Sequence, residues 1–183
     1  MGSGKKAAVG NSNRLDTSAR SNGRIYYASR DDKSAYSVHF AGEQRTGGST
    51  QGLGYLTYTG AGKLFLHNII FSTEEPGTGL TKFSIWAKTT VSGGTSKTPI
   101  NINQTSSLTA NADCYHDYDG AGTAVSITGG SSIYTIRLGG ITTYPIFFDD
   151  AIILGINNTI SFKSNAATAG TKVRATLSFF ELA

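Results

Sequence analysis

The chain has 183 residues and a mass of 19.2 kDa, which fits one domain, since domains commonly contain about 100–200 residues. Gly, Thr and Ser occur 23, 23 and 20 times, whereas charged residues make up 15% and Met, Trp and Cys occur once each. This composition favours strands and turns and excludes an all-helical fold. The net charge is +4, and the excess of basic side chains lies within residues 1–30, which carry six basic groups and only one acidic group, Asp16.

Residues 1–23 are predicted to form an extended basic arm. Val9 and Leu15 are its only large aliphatic residues, so this segment cannot form a core of its own. The basic residues expected to contact a partner are Lys5, Lys6, Arg14, Arg20 and Arg24. These charges are too sparse for packaging a genome, so we expect a protein partner rather than nucleic acid.

No apolar segment follows the first lysines, so we expect no signal peptide. Cys114 is the only cysteine and cannot form an intrachain disulfide, which is typical of a protein made in a reducing cytoplasm. The apolar runs are far shorter than the about 18 residues of a membrane span, so we expect no membrane contact.

Residues 24–183 are predicted to form a single all-β domain, an antiparallel β-sandwich of jelly-roll type. Short β-rich runs alternate with Gly-rich turns, and no helical pattern separates them. The predicted strands are Arg24–Ser29, Ser34–Ala41, Leu53–Thr59, Lys63–Phe71, Leu80–Thr89, Pro99–Gln104, Ile133–Leu138, Ile141–Phe148, Ala151–Ile156, Thr159–Lys163 and Lys172–Leu182.

Two strands carry large apolar residues on the face predicted to be polar. In the predicted strand Leu80–Thr89, Phe83 and Ile85 lie on one face and Trp86 lies on the other. Trp86 is therefore expected to face solvent between Lys82 and Lys88. In the last strand, Phe180 and Leu182 fall on the face opposite Phe179. We predict that Trp86, Phe180 and Leu182 contact another subunit. In the intramolecular alternative, a loop or the arm covers Phe180 and Leu182.

The polar residues predict neither a catalytic site nor a metal site. Segment 111–120 contains Cys114, His116 and Asp117, but it lacks a second Cys/His pair for zinc and the closing Glu of a calcium loop. We interpret it as a polar loop at one end of the sandwich. His67 lies in a predicted strand, and the pair Asp149-Asp150 is expected to end a strand and cap a turn. We expect no catalytic residue, no cofactor and no metal, hence a protein that is not an enzyme.

Two segments resemble small virion proteins of tailed bacteriophages: LDTSARSNGRIYYASRD at residues 15–31 and FFDDAIIL at residues 147–154. The resembling class comprises capsid decoration (cement) proteins, head fibres and tail-associated modules. The resemblance implies a β-sandwich that acts as a trimer or at lattice junctions, with a terminal arm that reaches neighbouring subunits.

We therefore expect a structural protein of the virion, made in the host cytoplasm, that binds and reinforces a phage capsid lattice. Its expected partners are the major capsid protein or another virion protein, together with copies of itself in a trimer. One alternative is a phage tail or receptor-facing module that binds carbohydrate through Trp86 and Tyr residues. A second is a small jelly-roll major capsid protein.

Overall fold

The computed structural model describes residues 25, 28–32, 34–75, 79–117 and 123–182. The predicted arm, residues 1–23, lies outside this range, as do residues 118–122 of the polar segment.

The described chain folds into thirteen strands, preceded by a π-helical turn at Ala28–Asp32. The strands are β1 (Ala35–Glu43), β2 (Gln51–Tyr58), β3 (Lys63–Glu75), β4 (Leu80–Ala87), β5 (Thr90–Ser92), β6 (Thr95–Ser96), β7 (Ile100–Asn101), β8 (Ala112–His116), β9 (Ser126–Thr128), β10 (Ser131–Gly139), β11 (Thr143–Leu154), β12 (Thr159–Ala166) and β13 (Lys172–Leu182).

The strands form two large antiparallel sheets and one small one. The five-stranded sheet has the order β11-β3-β13-β1-β7, the six-stranded sheet has the order β10-β4-β12-β2-β8-β6, and β5 pairs with β9. The prediction of an all-β, antiparallel fold is confirmed. The eight long strands are divided equally between the two large sheets, in the orders β11-β3-β13-β1 and β10-β4-β12-β2. This order is compatible with the predicted jelly roll.

The core lies between the two large sheets, because alternate side chains of both sheets point inward. Phe71 of β3 stacks on Phe83 of β4 with ring centroids 4.7 Å apart, and Phe40 of β1 meets Phe162 of β12 at 5.3 Å. All four rings are fully buried. These cross-sheet aromatic pairs hold the two layers together.

Four predictions about individual elements were wrong. In the predicted strand Arg24–Ser29, residues 24, 26 and 27 lie outside the described range, and Ala28 and Ser29 belong to a π-helical turn, Ala28–Asp32, instead of a strand. The predicted strands Ile141–Phe148 and Ala151–Ile156 are one strand, β11, interrupted by a bulge at Asp149 and Asp150. Segment 111–120 contains a strand, β8, that pairs with β2. Pro99–Gln104 contributes only the two-residue strand β7.

Candidate functional site

The predicted site residues do not form one site. Lys5, Lys6, Arg14, Arg20 and Arg24 lie outside the described residues. Trp86 lies in β4 of the six-stranded sheet, whereas Phe180 and Leu182 lie near the end of β13 in the five-stranded sheet.

Trp86 is partly buried rather than freely exposed. Its indole Nε1 donates a hydrogen bond to Ser84 Oγ at 2.8 Å, and Lys163 Nζ lies 3.9 Å from the ring centroid. A cation over an indole face is attracted by the ring quadrupole, and burial lowers the pKa of Lys163. Lys163 therefore occupies one face of the only tryptophan, a neighbour that the sequence pattern could not identify.

The expected exposure of Phe180 was wrong. Its side chain is 1% exposed and stacks on Phe65, with centroids 5.0 Å apart and ring planes at 4°. Ala28, in the π-helical turn, and Ala35 belong to the same small cluster. Phe180 does face away from Phe179, as predicted, but the segment before β1 covers it. This is the intramolecular alternative, and Phe180 is therefore not available as a surface contact.

The two outer strands β10 and β11 expose an unusual number of large apolar side chains. Each is the first strand of its sheet and has a neighbour on one side only. The short connection at residues 140–142 joins them, so both edges lie on the same side of the sandwich. We call this the β10/β11 side. It carries six of the twelve large exposed hydrophobic residues in the described part of the chain: Ile133, Tyr134, Ile141, Tyr144, Phe147 and Ile153.

A bulge divides the edge of β11. Pairing with β3 stops after Phe147 and resumes at Ile152, and Asp149 and Asp150 between them have φ angles of 46° and 63°. The pair therefore forms a bulge inside a strand instead of the predicted strand end. Charged bulges of this kind prevent continuous strand-to-strand pairing at an exposed edge. Association at this side must therefore rely on apolar side chains more than on a continuous ladder of backbone hydrogen bonds.

Asp150 approaches His67 of β3, with Oδ1 3.6 Å from Nδ1. Both atoms are buried without a hydrogen-bond partner among the described residues. The Phe147 ring contacts the imidazole edge-on at 6.4 Å between centroids. The His67–Asp150 pair therefore lies next to the exposed Phe147 of β11. The 3.6 Å between Nδ1 and Oδ1 is too long for a hydrogen bond.

A groove of about 870 Å³ opens at the end of the sandwich where β13 ends and β1 begins. The residues that line it include the acidic Asp32 and Glu181 and the buried Tyr36 and Tyr58. The Glu181 carboxylate is nearly buried and accepts hydrogen bonds of 2.8 Å from the Asn111 backbone N–H and from Asn111 Nδ2. Burial raises the pKa of Glu181, while the Asn111 bonds oppose that change. Leu182, 37% exposed, forms part of the rim.

The polar residues of segment 111–117 are mostly used inside the fold. Cys114 is buried, and burial raises the pKa of its thiol. His116 Nδ1 accepts a hydrogen bond from the Ala41 N–H at 3.0 Å. Asp117 pairs with Arg45 at 2.6 Å, although burial still raises the pKa of Asp117. Within the described ranges no three His, Cys, Asp or Glu residues are grouped to hold a metal ion, and the absence of a metal stays a prediction.

Comparison with models of protein families, with curated proteins and with solved structures finds no match to this chain. No helix in the described part of the chain has the length and apolar composition of a membrane span.

Proposed function

We propose that this protein is a non-enzymatic structural component of a virion that binds a phage capsid lattice and reinforces it. The observation that carries the proposal is the β10/β11 side, where six large apolar side chains surround two sheet edges. Concentrated apolar exposure on a folded domain is typical of protein interaction surfaces.

The energetics favour an interface at this side. Phe147 is 60% exposed and Ile153 is 49% exposed. Completing the burial of each would contribute about 1–2 kcal/mol per side chain before the cost of association. The exposed Asp149 of the bulge lies between the two residues in the strand, so the contact would combine apolar side chains with a negative charge. The proposed partners are further copies of this chain, in a trimer, and the capsid protein on which the trimer sits.

A small jelly-roll major capsid protein is the second candidate, because the eight long strands follow an order compatible with that fold. Jelly rolls form many viral shells, but the fold also occurs in lectins and other proteins. The carbohydrate-binding alternative has less support, since Lys163 already covers one face of Trp86.

Electron cryo-microscopy of particles purified from cells that produce this chain tests both candidates. A decoration protein would lie on a shell built from another protein, with the β10/β11 side buried against a neighbouring chain. A major capsid protein would form the continuous shell itself. Mass spectrometry that fails to find the chain in the particles would overturn both candidates, and a β10/β11 side that faces solvent would overturn the proposed interface.

A further inference from the structure

Within the described residues, the groove beside Glu181 carries negative charge that no cation balances by an ion pair with Glu181. The Glu181 side chain is nearly buried, and both of its oxygens are hydrogen-bonded by a neutral residue, Asn111. No lysine or arginine among the described residues forms an ion pair with it. Asp32 adds a second carboxyl group at the rim. A buried carboxylate without a cation is costly, so a basic group that enters the groove would gain electrostatic energy.

The rest of the groove suits the stem of a long basic side chain. Leu108 and Leu182 line it with aliphatic groups that are 51% and 37% exposed, while Tyr36 and Tyr58, each 2% exposed, lie in the core beneath it. The charge of Glu181 raises the pKa of both tyrosines in addition to the larger effect of burial, so their hydroxyl groups lie within its field. Lysine and arginine bury an apolar stem while their charged ends seek a carboxylate.

The sequence supplies such side chains close to the groove. Residues 1–24 contain five basic residues and one acidic residue, whereas residues 31–183 have a net charge of −1. This segment joins the described chain at Ile25, seven positions before Asp32 on the rim. An extended segment of this length reaches up to about 80 Å, and a short tether gives an effective concentration on the order of millimolar.

We propose that the groove binds a lysine or arginine side chain from residues 1–24 of the same chain. The segment places a cation beside Glu181 and packs the stem of its side chain against Leu108 and Leu182. This inference does not depend on the virion function, because it concerns the free protein.

Paramagnetic NMR on the full-length protein tests this contact. A nitroxide is attached at Ser18→Cys, and the native Cys114 does not react because it is 2% exposed. The expected result is a loss of signal intensity at Asn111 and Leu182. Glu181→Gln or Asp32→Asn should restore the intensity, as should replacement of all five basic residues by Gln. Asp113→Asn is the matched control: it removes an exposed carboxylate outside the groove and should leave the loss unchanged.

Mixing spin-labelled chains with separate ¹⁵N-labelled chains identifies the source of the segment. Signal loss that occurs when the nitroxide and the ¹⁵N label are on the same chain, and does not occur in the mixed sample, supports the proposal. Signal loss only in the mixed sample would mean that a neighbouring copy supplies the segment, and it would overturn the proposal as stated. Undiminished signals in every sample would overturn binding altogether. Association through the β10/β11 side is measured separately, so the two claims can fail independently.

Discussion

At the scale of single residues, three consecutive positions at the end of β13 lie in three different environments. Phe179 enters the main core between the sheets, Phe180 enters the small cluster on the outer face, and Glu181 reaches the groove. Adjacent strand residues point to opposite faces, so the direction of each side chain follows from the sequence. Whether the outer face meets water, a partner or the chain itself depends on the segment before β1.

Phe180→Ala should strongly destabilise the folded protein, because it removes a buried ring that stacks on Phe65. We expect the free energy of unfolding to fall by about 3–5 kcal/mol, the usual loss for a buried Phe, as measured by chemical denaturation. Leu182→Ala, in the same strand but 37% exposed, should have a much smaller effect. A Phe180→Ala protein with unchanged stability and lost self-association would restore the interface role predicted from the sequence.

With the five basic residues of segment 1–24 replaced by Gln, so that no cation from that segment can bind beside it, Glu181 should make stability depend on pH in a defined direction. Burial raises its pKa in the folded state, so the native state binds this proton more tightly than the unfolded state does. The ionised carboxylate therefore opposes folding near neutral pH, and this contribution disappears as the pH falls through the raised pKa.

Denaturation of this five-Gln protein, with Glu181 present and with the further substitution Glu181→Gln, at a series of pH values measures this effect. The stability of the protein that retains Glu181, relative to the protein with the further substitution, should rise as the pH is lowered from neutral, since the other carboxyl groups are common to both proteins. A difference that stays constant or falls over that range would show that burial does not dominate the Glu181 environment.

At the scale of elements, β2 depends on a glycine for its close packing. A Cβ atom at Gly54 would lie 2.7 Å from Phe40 Cδ1 and 2.9 Å from the Tyr115 carbonyl oxygen. Gly54→Ala should therefore lower the free energy of unfolding by about 1–3 kcal/mol, the usual cost of overpacking a core. Gly155→Ala is the matched control, because no atom lies within 4 Å of its added Cβ. Equal thermal stability of the two variants would contradict this packing.

The predictability of the strands depended on how regularly their apolar residues alternate. The predicted bounds of β13 match the structure because Val173, Ala175, Leu177 and Phe179 all point inward. β8 was interpreted as a loop because its inward residues include Cys114 and His116, which also suit a metal site. The bulge in β11 was interpreted as a turn because an Asp-Asp pair is typical of both.

The candidate surfaces were less predictable than the strands. A sequence pattern assigns a residue to one face of a strand, but it does not tell whether the strand lies at the edge of its sheet. Phe147 and Ile153 were therefore not recognised as surface residues, although both lie within predicted strands. The groove likewise depends on contacts between distant segments, such as Asn111 with Glu181. No local pattern marks such a pair.

At the scale of the whole molecule, the two sides of the sandwich differ. On one side, β10 and β11 are long and expose apolar residues, whereas on the other side the last strands, β6 and β7, have only two residues each. Short edge strands resist unwanted pairing, while long apolar edges promote association. This asymmetry supports the proposal that subunits contact one another through the β10/β11 side.

Sedimentation velocity of the wild type and of the double variant Phe147→Asp, Ile153→Asp, over a wide range of protein concentration, tests this contact most directly. The wild type should sediment as a homo-oligomer, with a trimer as the expected species, and the double variant as a folded monomer. Ile100→Asp, at an apolar residue 66% exposed in β7 on the opposite side, should associate like the wild type. A wild type that remains monomeric throughout, or a double variant that associates equally well, would contradict the assignment of the β10/β11 side.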